Sequence, residues 1–259
     1  MPPQGITPNI PGGVVDEVGG VKLGDPNVTW TISERTFQSR YPDGMTFGLS
    51  ISSSAGEIQQ ARVVFTHAIT SQNTQPAQSI NPATGQLIAE WQHDRRPPWL
   101  AVDYWWEVTD SAGNSYATPI VEGEYADLTR EWIRMENDDI VVVSVGLPEL
   151  AAQLALDAMV AQREIFREAW GELLPYKPRA ILIGRLDVWE EWQPGLTNPN
   201  VIGTTNGTWG AVVQRVSGSD LTDLAFGTVL HEVAHLYQDC CAAGLPDREL
   251  VQRRQRDLL

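Results

Sequence analysis

TVLHEVAHLYQ, residues 228–238, sets two histidines four positions apart with a glutamate directly after the first. On a helix, residues four apart lie on one face about one turn from each other, so His231 and His235 can aim two imidazole nitrogens at one point. Zinc accepts such nitrogens at ~2.0–2.1 Å and, in a catalytic site, leaves a position for water. Glu232 sits about 100° further round the helix. Its carboxylate then lies beside the water instead of on the metal, where it can take a proton and pass it to a leaving amine. The metal lowers the pKa of that water to about 7 and polarises a carbonyl. The spacing therefore predicts a Zn²⁺ site with His231 and His235 as ligands and Glu232 as the catalytic base.

The surroundings favour a helix. SGSD (217–220) offers N-cap residues for a helix from about Leu221 to Gln238. The chain has four histidines, and two fall in this motif, which makes a chance match uncommon. The competing reading is an amphipathic helix whose histidines are partly buried and satisfied by hydrogen bonds. His67 and His93 stand alone in a strand-rich region and read as strand-surface residues.

Upstream of the motif, DIVVVSVG (139–146), PRAILIGR (178–185) and TWGAVVQRV (208–216) read as buried strands. LPELAAQLALDAMVAQREIFREAWGELL (147–174) reads as a long amphipathic helix with Pro148 in its first turn. Its expected apolar stripe is Leu150, Leu154, Ala158, Ala161, Ile165 and Ala169. LDVWEEW (186–192) predicts a short helix. Strand, helix, strand, strand, helix is an α+β order.

Residues 1–25 are rich in proline and glycine and read as a flexible lead-in. From 26 to 125 the pattern is β. NVTWTISERTF (27–37), MTFGLSIS (45–52), QQARVVFTH (59–67), QLIAEWQHD (86–94) and LAVDYWWEVTD (100–110) are separated by turn signals such as YPDG (41–44) and SAGN (111–114). Some seven short strands in about 100 residues predict an immunoglobulin-like sandwich. The expected fold class is thus an all-β Ig-like sandwich followed by an α+β domain spanning 126–259.

The 259 residues are 42% hydrophobic and 20% charged, ordinary values for a folded protein. A net charge of −15 argues against nucleic acid and anionic lipid as partners. No stretch approaches the length of a membrane span. The first 25 residues show neither a basic n-region nor an apolar h-region, so the expectation is either a cytosolic protein or sorting segments that lie outside this sequence. The two cysteines, Cys240 and Cys241, are adjacent, which predicts no disulfide framework.

The second half resembles the peptidase MA-like, gluzincin-type zinc metallopeptidases, and the whole layout resembles bacterial proteins that place an Ig-like domain before one. The likeness is carried by YPDGMTF (41–47), YWWEVTDSAGNSYATP (104–119), EWIRMENDDIVV (131–142), VIGTTNGTWGAVVQRV (201–216) and LHEVAHLYQ (230–238). It implies a zincin-like fold for 126–259, a peptide or protein substrate, and an extracellular or cell-surface setting. It also implies a third ligand, a glutamate within a Trp-x-x-Glu-Gly-like stretch on a following helix. No such stretch follows His235. Asp239, Asp247, Glu249 and Asp257 are the acidic residues beyond it, with Glu249 the weak candidate. Both cysteines and Arg248, Arg253, Arg254 and Arg256 crowd into 239–259. That shift of composition predicts an atypical tail, truncated or frame-shifted after Gln238.

Two other functions stand beside the peptidase reading. One is a non-catalytic surface or adhesion protein on a decayed scaffold, because two histidines alone hold zinc weakly. The other makes the Ig-like region a carbohydrate or protein binder. In the peptidase reading, the strand near 209–216 is the expected edge strand lining the cleft.

Overall fold

The computed structural model describes residues 14–16, 19–68, 73–92, 96–193, 203–216 and 221–242. The chain divides into two compact units, Met1–Glu131 and Trp132–Leu259.

The first unit is built from β1 (Val14–Val15), β2 (Val21–Leu23), β3 (Trp30–Ser39), β4 (Gly44–Ser53), β5 (Ile58–Thr66), β6 (Asn73–Pro76), β7 (Ser79–Asn81), β8 (Gln86–Gln92), β9 (Leu100–Asp110), β10 (Ser115–Ala117) and β11 (Val121–Tyr125). One sheet runs β1-β2-β10-β9-β5-β6, with β11 also paired to β9; the other runs β3-β4-β8-β7. Alternation explains the inward faces. On β4, Met45, Phe47, Leu49 and Ile51 are all buried while their neighbours are less so. Phe47 lies 5.2 Å from Tyr104 and 5.5 Å from Phe65 by ring centroids, and Phe37 lies 5.5 Å from Tyr104. These aromatic contacts join the two sheets.

A polar knot closes the β9–β10 turn. Asp110 is 1% exposed. Its carboxylate accepts from Ser53 Oγ at 2.6 Å, from the amides of Ala112 and Asn114 at 2.9 Å each, and from Asn114 Nδ2. Asn114 Oδ1 in turn accepts the Asp25 amide at 2.9 Å. Burial pushes the Asp110 carboxyl up, but the hydrogen bonds from Ser53, Asn114 and Ala112 outweigh it and hold the group below the usual carboxylate range.

The second unit carries β12 (Ile133–Glu136), β13 (Val141–Val145), α1 (Glu149–Trp170), β14 (Arg179–Ile183), α2 (Leu186–Trp192), β15 (Gly203–Asn206), β16 (Ala211–Arg215), a π-helical segment (Asp223–Val229) and α3 (Leu230–Ala242). Its sheet runs β12-β13-β14-β16-β15. The three inner strands are parallel, and the two outer ones pair antiparallel. VVVSV and RAILI are buried at every position, as expected for strands covered on both faces.

The fold-class expectation needs correction. Among the described residues strand makes up 44% and helix 24%, with three α-helices and mostly antiparallel pairing, and no α+β zincin-like domain is apparent among them. The physical reason lies in short polar strands. β12 (IRME) and β15 (GTTN) lack the apolar runs that mark a strand in sequence, yet both pair along the sheet margins. The first unit likewise adds β1, β2, β6 and β7, all of four residues or fewer.

The face of α1 also differs from expectation. Leu150 and Ile165 are 56% and 55% exposed, and the buried face is Ala151, Ala152, Ala155, Leu156, Ala158, Met159 and Phe166. Alanine has the smallest side chain that keeps full helix propensity, so an alanine-rich face brings the helix closest to the sheet. Gly171 ends the helix at φ 82°, its amide bonded to the Arg167 carbonyl.

Candidate functional site

The motif lies on α3, as its spacing predicts, but the run into it is not uniform. Asp223–Val229 is π-helical and passes directly into α3 at Leu230. π segments widen the turn and are frequent at functional sites. The buried side of this stretch, Leu224, Ala225, Val229, Leu230, Val233, Leu236 and Tyr237, joins Val142, Ala180, Leu182 and Val212 of the sheet and the alanines of α1 in one core. Tyr237 stacks on Phe166 at 4.9 Å and Trp170 at 6.1 Å. Burial raises the Tyr237 hydroxyl pKa above its ordinary value. Val233, Leu236 and Tyr237 thus pin one side of α3 and leave the histidines on the other.

His231 is exposed and His235 is intermediate. Their Nε2 atoms face each other at 3.2 Å, with the rings perpendicular and centroids 4.8 Å apart. Two nitrogens bound tetrahedrally at ~2.0–2.1 Å would be about 3.3–3.4 Å apart. The observed spacing is within about 0.2 Å of that requirement. Gln238 Oε1 lies 2.9 Å from His235 Nδ1. An amide oxygen only accepts, so Nδ1 carries the ring proton and Nε2 keeps its lone pair directed at His231. A hydrogen bond of this kind on the far nitrogen is how metal-binding histidines are oriented.

Glu232 turns toward the sheet margin. Thr205 Oγ1 on β15 donates to Glu232 Oε2 and lies 3.3 Å from the Glu232 carbonyl. A Cβ added at Gly203 would sit 3.5 Å from Glu232 Oε1. Further along α3, Asp239 Oδ2 accepts the Gly207 amide at 3.1 Å in the β15–β16 turn. Asp239, the first acidic residue after His235, is therefore engaged in holding the hairpin. Glu249, Asp247 and Asp257 lie outside the described residues. Among the described residues, no group of three or more His, Cys, Asp or Glu could hold a metal ion.

Two other expectations change. The strand 211–215 is interior, between β14 and β15, so the margin is formed by Gly203–Asn206. His67 is 5% exposed, not a strand-surface residue; its Nδ1 lies 2.6 Å from the Ala101 carbonyl oxygen. The ring supports the fold of the first unit. His93 lies outside the described residues.

Sequence reasoning missed Thr205, Gly203 and Gln238. Gln238 was within reach of it, since three residues on from His235 places it on the same helix face. Thr205 and Gly203 carry no motif and enter only through strand pairing. Gln214, 1% exposed, pairs in register with Gly203 and is a further buried polar group beside the site.

No helix among the described residues is long and apolar enough to cross a membrane. No known family matches the chain, and no curated protein matches it.

Proposed function

We propose that the protein is a zinc-dependent metallopeptidase of the HExxH kind, acting on peptide or protein substrates. The observation that carries this reading is the 3.2 Å approach of the His231 and His235 Nε2 atoms at an accessible face of α3. Imidazole nitrogen is a ligand type suited to a borderline-soft divalent cation such as Zn²⁺, and Gln238 is placed to orient one of the two rings. His231 and His235 would hold the ion, which when bound supplies Lewis acidity toward a carbonyl and a more acidic water. Glu232 accepts a proton on its carboxylate and returns it to the departing amine. Thr205 keeps that carboxylate at the β15 margin. The likeness to gluzincin peptidases enters at the level of this motif, and with it an extracellular or cell-surface setting.

A second reading has its own observation. With no grouped third ligand among the described residues, the two histidines alone would bind zinc weakly, which favours a non-catalytic surface or adhesion role. Cleavage of a fluorescein-labelled, unfolded protein substrate by the full chain separates the two. The peptidase reading expects turnover in zinc that is abolished by a strong chelator, restored by added zinc, and lost in E232Q. Zinc-independent turnover, or none in the wild type, contradicts it.

A further inference from the structure

We propose that Thr205 is the positioning residue for Glu232, and that the Gly203–Thr205 stretch of β15 is the seat in which that carboxylate is held. The proposal rests on the reading of Glu232 as the proton carrier, and it adds a residue that the motif does not contain.

Gly203 and Thr205 are two apart on one strand and so present the same face. Both meet Glu232. Its Oε1 lies 3.5 Å and its Cδ 3.7 Å from where a Gly203 Cβ would stand, so a side chain longer than a methyl group would take the carboxylate's place. Its Oε2 receives the Thr205 hydroxyl. An ionised carboxylate only accepts, so the hydroxyl is the donor. The Glu232 carbonyl, 3.3 Å from the same hydroxyl, already lies within the hydrogen-bonded frame of α3, which leaves the carboxylate as the stronger acceptor for the single proton. One oxygen is therefore held by a hydrogen bond, and the bare glycine leaves room for the other.

This matters because a glutamate otherwise samples several rotamers, and a general base works only within hydrogen-bond reach of the proton it takes. The Asp239–Gly207 bond ties the following hairpin turn to the same helix. The β15–β16 hairpin and α3 are thus joined at both Glu232 and Asp239.

The test uses the full chain as wild type, T205V, T205S, E232A and E232Q. In metal-free protein, three-bond couplings about the Thr205 Cα–Cβ bond report whether one rotamer is held. A single rotamer in wild type and E232Q, averaging in E232A, is the expected result. Averaging already in the wild type overturns the proposal. In zinc-loaded protein, T205V should lower kcat about 10- to 100-fold at unchanged KM, with T205S recovering most of the loss and the zinc content of all three equal. A T205V enzyme with wild-type kcat overturns it as well. If the wild type neither retains zinc nor cleaves substrate, the peptidase reading fails, while the couplings still decide the Thr205–Glu232 contact.

Discussion

The Asp110 turn and the His231–His235 pair are both clusters of polar side chains, and they differ in where their hydrogen-bonding capacity goes. At Asp110, hydroxyl, amide and backbone donors all converge on one buried carboxylate. Such a knot is closed, and its work is to hold β4, β9 and β10 in place. On α3, two ring nitrogens point at each other beside solvent, supported from behind by Gln238. A hydrogen bond between two imidazoles at a surface contributes little to folding. Their placement makes sense for a cation that joins them. The first cluster is closed on itself, while the second is open to solvent and is the one proposed to take a ligand.

Substitutions can break or sharpen that contrast. The largest effect belongs to Glu232. E232Q keeps shape and hydrogen-bonding length but cannot take a proton, so turnover should fall about 10²- to 10⁴-fold with zinc retained, as read by initial rates and metal analysis. Asp110→Ala should cost about 2–4 kcal/mol of stability, because it orphans buried donors from Ser53 and Asn114; urea unfolding measures this, and zinc content should not change. Q238A should weaken zinc binding about 10-fold, the lower end of effects seen when a ligand-orienting partner is removed. Chelator competition reads it, and the melting temperature should stay near wild type because Gln238 is exposed.

The pH dependence of the closed cluster is the smallest effect and has a definite sign. The Asp110 carboxyl is depressed in the folded protein. Its contribution is therefore fully present above the unfolded value of about 3.9 and is lost as pH falls through the lower folded value. Acid unfolding of the wild type should be steeper below about pH 4 than that of D110N, which lacks the titrating group. Equal slopes would mean the knot does not discriminate between protonation states.

How much of this was legible in the sequence follows from which interactions are local. His231, Glu232, His235 and Gln238 lie within eight residues of one helix, and the helical period alone brings them together. The long strands and helices, such as LAVDYWWEVTD and the Glu149–Trp170 helix, announce themselves by apolar content. The expected α+β zincin-like fold did not survive. Its outline came from element order, and short polar strands such as GTTN and IRME are stabilised by pairing with buried neighbours and not by their own composition. Thr205 was invisible for the same reason: its partner is 27 positions away and is set by the β15–β16 register. On α1 the expected stripe shares only Ala158 with the buried face, which turns Ala151, Ala152, Ala155, Leu156, Met159 and Phe166 inward and leaves Leu150 and Ile165 exposed.

The central claim is that His231 and His235 together bind a divalent metal. Titration of the metal-free full chain with Zn²⁺ against a chromophoric chelator tests it most directly, with H231A and H235A run alongside. One equivalent bound per wild-type chain, and none in either variant at the same chelator concentration, is the predicted result. Equal zinc uptake by the wild type and both variants, or none in any of them, would contradict it.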